Sequence, residues 1–395
     1  MNKNSLLQLL SLTVHNVDPV YLLKRRSPKT FQGDAYLFLG KASERFFEAL
    51  RELDSSNQPI LGIYPQGTGG DSGKKVKHAG QWIAAEHPLP GEGSFRAGCE
   101  LLEFFDSLRR SRAKRLTVFL SGGASSLMWL PRAGMSRQEL LSKLQALYRA
   151  GLNIQELNAK RAQLCQLKGG GAARWLERLA PQVKARVFLL SDVAPFDASV
   201  VGSGPFWDGK IPHTVLADNS TWVKALESEA RRRKISILHS SSGQLGSWQS
   251  WVHSAILKVT PTLRENRSGL FIFGGEPSVR LPAKKKGSRT FQKGGRQSHL
   301  ALAIAQKLRP WVLQGRVEIL AMSSDGSDGN SGAAGVWMDT ENFPKRFALM
   351  SSGEVQKALR EYQSAPILSK LEALVQPRSK ASQSNVQDVL MIRVR

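Results

Sequence analysis

The sequence predicts an α/β protein of two domains, and three observations carry that prediction. Short apolar segments alternate with amphipathic helical ones, each strand-like segment ending in glycine or a polar turn. At 395 residues, 41% of them hydrophobic, the chain is too long for one ordinary core. The strand–turn–helix pattern then restarts after Lys258, which puts the boundary near residues 245–265 and the domains over 1–250 and 265–395.

The elements follow in order. Residues 4–14 read as an amphipathic first helix, with a signal peptide as the minority reading because no small-residue cleavage site follows. The run 35–39 is a strand ending at Gly40, and a helix over 41–53 presents Phe46, Phe47 and Leu50 on one face. Further strands are predicted over 59–64, 116–120, 186–190 and 213–217. The 116–120 strand ends in Ser121-Gly122-Gly123 and the 186–190 strand in Ser191-Asp192. Beyond the boundary, strands over 268–273 and 317–322 lead to Gly274-Gly275-Glu276 and Ser324-Asp325-Gly326. A helix over 299–308 and a last strand over 389–394 complete the set, and 282–292 reads as a mobile basic loop. Short apolar strands between helices indicate a parallel sheet covered on both faces. Ligands bind such sheets outside the C-terminal ends of the strands, where the polar residues here gather.

Composition narrows the function classes. No run of about eighteen apolar residues occurs, so no membrane partner is expected. The two cysteines, Cys99 and Cys165, form no disulfide framework and no metal spacing, which fits a reducing cytoplasm. The net charge of +24 attracts polyanions. Its clusters (Lys24 to Arg26, Arg109 to Arg115, Arg231 to Lys234, Lys284 to Lys286) are scattered and lack interleaved aromatics, so no specific nucleic acid is expected.

Several motifs carry chemistry. Gly40-Lys41 lies between strand and helix, where a lysine neutralises phosphate or simply faces solvent beside a turn. Ser121-Gly122-Gly123-Ala124-Ser125-Ser126 offers backbone N–H groups and three hydroxyls, an anion nest; Ser125 also reads as a helix cap. Asn158, Arg161 and Lys168 are spaced to share one helix face that three glycines from Gly169 terminate, which suits a carboxylate, a phosphate or a salt-bridged surface. Asp192 and the Asp325-Gly326-Ser327-Asp328-Gly329 run follow strands, where carboxylates hold Mg²⁺ beside phosphates; the run equally reads as a pair of turns. Gly294-Gly295-Arg296 opens a helix whose N–H groups and guanidinium could clamp a transferring phosphoryl group, or ends a flexible loop. His87, in His87-Pro88-Leu89-Pro90, is a weaker candidate for a general base. No G-x-G-x-x-G run follows a strand, which speaks against the usual dinucleotide site.

Taken together, the set resembles the type II glycerate kinases, the MOFRL or glycerate 2-kinase family, over nearly the whole chain from Asp18-Pro19 to Asn385-Val386. The most specific match is Glu156, Asn158 and Arg161 followed by Leu167-Lys168-Gly169-Gly170. The resemblance implies a Rossmann-like N-terminal domain, a smaller C-terminal domain and an active site in the interdomain cleft. It implies transfer of phosphate from ATP, with Mg²⁺, to a hydroxyl of D-glycerate or a related hydroxy acid, normally giving 2-phosphoglycerate. The family's essential lysine falls on Lys41, its Gly-Gly-Arg arginine on Arg296, and its paired acids on Asp325 and Asp328. Asp192, Asp325 and Asp328 are then the metal candidates. Ser121, Gly122, Gly123, Ser125, Asn158, Arg161, Lys168, Gly169, Gly295 and Asn385 are the substrate- or nucleotide-binding ones.

The sequence departs from the family in four places. Pro195-Phe196 replaces a glycine and an aspartate, His299 stands for an acid after Gly-Gly-Arg, and Gly332 for an aspartate after the paired acids. The threonine-rich segment survives as serines over 379–386. These departures bear on glycerate itself more than on phosphoryl transfer. Two alternatives stay open: a hydroxypyruvate reductase, as relatives are often labelled, and a degenerate member that binds polyanions without turnover.

Overall fold

The computed structural model describes residues 5–54, 57–67, 80–150, 154–194, 196–279, 293–376 and 384–395. The basic loop expected over 282–292, Pro195 and residues 379–383 lie outside the described residues. The chain forms two compact units, Asp18–Asp218 and Met1–Val17 with Asn219–Arg395.

The first unit holds β1 (Ala35–Leu39), β2 (Ile60–Pro65), β3 (Gln81–Ala85), β4 (Arg115–Leu120), β5 (Lys184–Leu190) and β6 (His213–Ala217). They form one sheet in the order β3-β2-β1-β4-β5-β6, every pair parallel. This is the doubly wound, Rossmann-type order, and it reverses between β1 and β4. Register explains one of its two cores. Phe38 pairs with Phe119, which pairs with Phe188. Their rings therefore stack across three strands, 5.3 and 5.6 Å between centroids. Trp82 extends the row, 5.9 Å from Phe38. It does so by lying over Gly62 of the intervening strand, where a Cβ would meet the indole at 2.1 Å. The helix Ser43–Arg51 covers this face with Phe46 and Phe47. The opposite face buries Leu37, Leu39, Val118, Leu120, Val187 and Leu189.

The second unit holds β7 (Ile237–Ser247), β8 (Gly269–Ser278), β9 (Val317–Ser323), β10 (Gly335–Met338), β11 (Leu374–Val375) and β12 (Asp388–Val394). Their order is β11-β10-β9-β12-β8-β7. Only β7 and β8 are parallel among the described pairs; β12 runs antiparallel to both β8 and β9. The core includes Trp251, Phe273, Leu300, Ile304, Ile319, Leu390 and Ile392. With six strands, its sheet is no smaller than the first. The units divide earlier than the expected 245–265, because the helix Asn219–Arg232 and β7 pack with the second sheet. The first helix, Leu6–Thr13, also belongs here. Its Leu6 N–H donates to the buried Glu318 at 2.9 Å, and Arg395 pairs with the other oxygen of that carboxylate at 3.1 Å.

Candidate active site

In the first unit, the C-terminal ends of β1, β4 and β3 bring three sequence-distant motifs together. Gly40 leaves β1 at φ +119°, a left-handed torsion that disfavours any side chain. A Cβ there would lie 2.3 Å from the Ser121 Oγ, so the turn closes only around hydrogen. The Lys41 N–H donates to the Gly122 carbonyl and the Ala42 N–H to the Ser121 Oγ, both at 3.0 Å. Ser43 donates its hydroxyl to the carbonyls of Gly40 and Ile63, fixing the start of the next helix. A Cβ on Gly123 would sit 3.0 Å from the Lys41 side chain and 3.3 Å from the His87 ring. Lys41, the Ser121 loop and His87 thus meet at the crevice where the strand order reverses, the expected ligand position for this sheet. Asp192 lies at the end of the neighbouring β5, half-buried. Asp197 is instead an exposed capping group, accepting from the N–H and hydroxyl of Ser199. Ser125 is not the helix cap; Gly123 holds that place before the short Ala124–Leu127 helix.

The Asn158 block is built differently from expectation. The helix Ile154–Leu164 ends before Lys168, and the glycines open the next helix, Gly171–Leu179, rather than closing the first. Asn158 Oδ1 accepts from Arg161 at 3.3 Å and from Ser203 at 3.0 Å. Gly169 and Gly170 donate to the carbonyls of Ser203 and Gly204. The buried Arg161 donates to the Tyr148 hydroxyl at 2.5 Å. Lys168 is 1% exposed, donates to the Met128 carbonyl at 3.1 Å and lies over the Trp129 ring at 4.9 Å. Burial pulls its ammonium down to about 8, opposed by Cys165 and reinforced by the nearby Arg161. The block braces the segment that follows the Ser121 loop from within the core.

In the second unit, Arg296 begins the helix Arg296–Lys307 after Gly295. Its guanidinium pairs with Glu276 at the end of β8 and with Asp388 at the start of β12, the latter at 3.3 Å. These carboxylates hold the guanidinium charged: its pKa is raised by their attraction in spite of burial. Asp388 is buried, accepting from the Ser323 hydroxyl at 2.6 Å and the Gln297 amide at 2.7 Å. Burial, opposed by Arg296, raises its carboxyl to about 7. Asp325 stands close enough to act electrostatically on both Arg296 and Asp388, and one of its oxygens accepts from the Ser327 N–H. Asn385, half-buried, lies three residues before Asp388 in the segment leading into β12.

Two expectations change here. The N–H groups at this helix start already have partners: Gly294 donates to Asn330, Gly295 to the Ser298 hydroxyl, and Gln297 and Ser298 to the two oxygens of Asp328. Asp328 is therefore the helix's own anionic cap. It explains Gly295, whose Cβ would fall 2.1 Å from that carboxylate. The anion-binding contribution that remains at this helix start is that of Arg296 itself. His299 is packed between Trp248 and Tyr362, and burial pushes its ring down to about 4, so it carries no charge that replaces the family's acid. Gly332 sits in open turn space at φ +73°.

The residues fit a nucleotide-borne Mg²⁺ in part. That ion takes one or two protein carboxylates beside phosphates. Of the three expected carboxylates, Asp328 is committed to its helix, and Asp192 and Asp325 stand half-buried just past strand ends. Among the described residues no group of three His, Cys, Asp or Glu side chains gathers in the manner of a metal cage.

Known proteins align with both units. The family described as "Domain of unknown function (DUF4147)" matches residues 5–232, more than half of the chain, and the MOFRL family matches residues 269–388. A glycerate 2-kinase of Pyrococcus horikoshii is 26% identical, over 87% of this chain and 84% of its own length. A D-glycerate 2-kinase of Thermotoga maritima is 27% identical, over 85% of this chain and 86% of its own. The crystal structure of a glycerate kinase from Thermotoga maritima shares the fold with a TM-score of 0.80 at 23% identity, covering 98% of each chain.

Proposed function

The chain belongs to the type II glycerate kinase family with its C-terminal MOFRL part, and from that premise we propose that it phosphorylates a hydroxyl of D-glycerate at the expense of ATP, giving 2-phosphoglycerate. The observation that carries the reading is the meeting of Lys41, the Ser121 glycine turn and His87 at the reversal point of a doubly wound sheet. That geometry suits a phosphate chain bound by backbone and one ammonium.

Phosphoryl transfer breaks the bond from the γ-phosphorus to the bridging oxygen and forms one to the acceptor hydroxyl, whose proton leaves. The transition state is loose, with charge spread over the equatorial oxygens, so positioning and cations dominate catalysis. Lys41 and Arg296 supply the cations. Asp192 and Asp325 orient the hydroxyl, receive its proton or hold Mg²⁺, which when bound neutralises phosphate charge. Asn385, Gly123 and Ser125 contribute hydrogen bonds to substrate or nucleotide, while the buried Ser121 hydroxyl braces the turn by accepting from the Ala42 N–H. Lys168 and Arg161 act at one remove, by holding the phosphate loop's neighbours in place.

The experiment is a coupled assay for ADP release with D-glycerate and ATP, followed by phosphorus NMR of the product. A signal for the 2-phosphate supports the reading. ADP release that does not depend on D-glycerate refutes it, and a 3-phosphate corrects its regiochemistry.

A further inference from the structure

We propose that Asp388 is a positioning residue for Arg296, fixing the guanidinium edge from behind while the opposite edge stays open to exchange. The inference rests on the kinase reading above. It starts from an asymmetry. Arg296 holds two carboxylates, but the Glu276 side chain is 39% exposed and that of Asp388 3%. A half-exposed carboxylate returns to water at little cost and yields its place to an incoming phosphate. A buried one does not, because an unpaired charge in the interior is strongly disfavoured.

The surroundings of Asp388 add to this. Its two oxygens are used by three donors from two other elements: the Ser323 hydroxyl at the end of β9, and the Gln297 amide and Arg296 guanidinium at the start of the Arg296–Lys307 helix. Asp388 itself is anchored by β12, which pairs Asp388 with Gly275 on one side and Ser323 on the other. Residue 388 therefore ties helix, central strand and both flanking strand ends into one arrangement, its carboxylate reaching the helix and β9 and its backbone pairing with β8. The Arg296 side chain itself stays 36% exposed, in contrast to Asp388. A long arginine side chain on a first helical turn samples several rotamers unless a partner selects one, and catalysis that depends on positioning loses rate when it does. Asp388 is that partner. It touches no substrate, so its effect passes through Arg296.

Asp388→Asn keeps the shape and the Ser323 contact but turns an amide toward Gln297 and Arg296. Its kcat for glycerate-dependent ADP release is expected to fall about 30-fold, with KM for ATP within about threefold. Glu276→Gln is expected to change kcat by less than about threefold. The decisive arm is chemical rescue. Guanidinium ion at millimolar concentration should restore Arg296→Ala at least about tenfold by occupying the vacated place against Asp388, and should fail in Arg296→Ala/Asp388→Asn. If Asp388→Asn does not fold, Ser323→Ala gives the same test, with a loss of about fivefold expected in a folded protein. Wild-type kcat in Asp388→Asn, equal losses in Glu276→Gln and Asp388→Asn, or equal rescue of the single and double variants would overturn the role. Loss of Arg296 without effect on turnover would instead fell the kinase reading, and the positioning role with it.

Discussion

The two units solve the same problem, polar chemistry at a sheet edge, with opposite materials. In the first unit the edge is mostly backbone: glycine turns after β1 and β4 lock through a main-chain bond and the Ser121 hydroxyl, and the buried charge behind them, Lys168, donates to a carbonyl and lies over an indole. In the second the edge is made of side chains, a guanidinium between two carboxylates, each tied to a different strand. The difference follows from topology. Parallel strands separated by helices present turns at their C-terminal ends. An antiparallel strand inserted between β8 and β9 instead brings its own first residue, Asp388, into the middle of the edge. A parallel edge is specified by short motifs, and a mixed edge by residues far apart in the chain.

Substitution can break this comparison. Lys41→Ala and Arg296→Ala are each expected to lower kcat about 10³-fold in the ADP-release assay, since each removes a cation acting on the transferring group. Retained activity in either variant would mean that one edge suffices. Next in size is Gly40→Ala, expected to reduce kcat/KM about 100-fold, because the added methyl displaces Ser121. Gly332→Ala has a similar torsion but open surroundings, and should cost only about 1 kcal/mol in a denaturant melt, with turnover unchanged.

The buried charges sharpen the contrast through pH. Lys168 is depressed to about 8 in the folded protein. The unfolded chain therefore binds more protons above that pH, and stability rises from pH 8 toward the ordinary lysine value, by up to about 3 kcal/mol. Asp388 is raised to about 7, so its contribution is fully present below the ordinary aspartate value and is lost as pH rises through 7. Urea melts of Lys168→Met and Asp388→Asn against the wild type should each remove one of these slopes, of opposite sign; slopes unchanged in both would discard the assignment. The smallest effect separates the helix cap, Asp328, from Asp325, the carboxylate proposed for Mg²⁺. Asp325→Asn should raise the Mg²⁺ concentration for half-maximal activity about tenfold, and Asp328→Asn by less than about twofold.

Legibility in the sequence tracked the same divide. Gly40-Lys41 and Ser121-Gly122-Gly123 were visible because a glycine-ended apolar strand needs only local pattern. The fold class and eight of the strands were visible for that reason too. Glu276 and Asp388 escaped notice as a pair because neither stands near Arg296 in sequence; a signal existed in the Gly274-Gly275-Glu276 strand end, but nothing local joins it to residue 388. Lys168 was assigned to a helix face by spacing alone, yet the chain turns out of the helix after Leu164 and the glycines start a new one. β3 opens on a glutamine and closes on two alanines, residues of low strand preference, and β7, rich in serine and glycine, lacks the alternation that marks a strand. The Phe38, Phe119, Phe188 row was written in the chain as one phenylalanine near the end of three strands, a regularity that acquires meaning only once register is known.

The central place of β12 bears on how the protein is made. As the nascent chain emerges, β1 to β6 find their neighbours in a sheet assembled without help from later residues. β8 and β9 are translated well before the strand that must lie between them, and until it arrives each offers an open flank to other chains. This interval of synthesis is therefore the one in which the second sheet is most open to pairing with other chains.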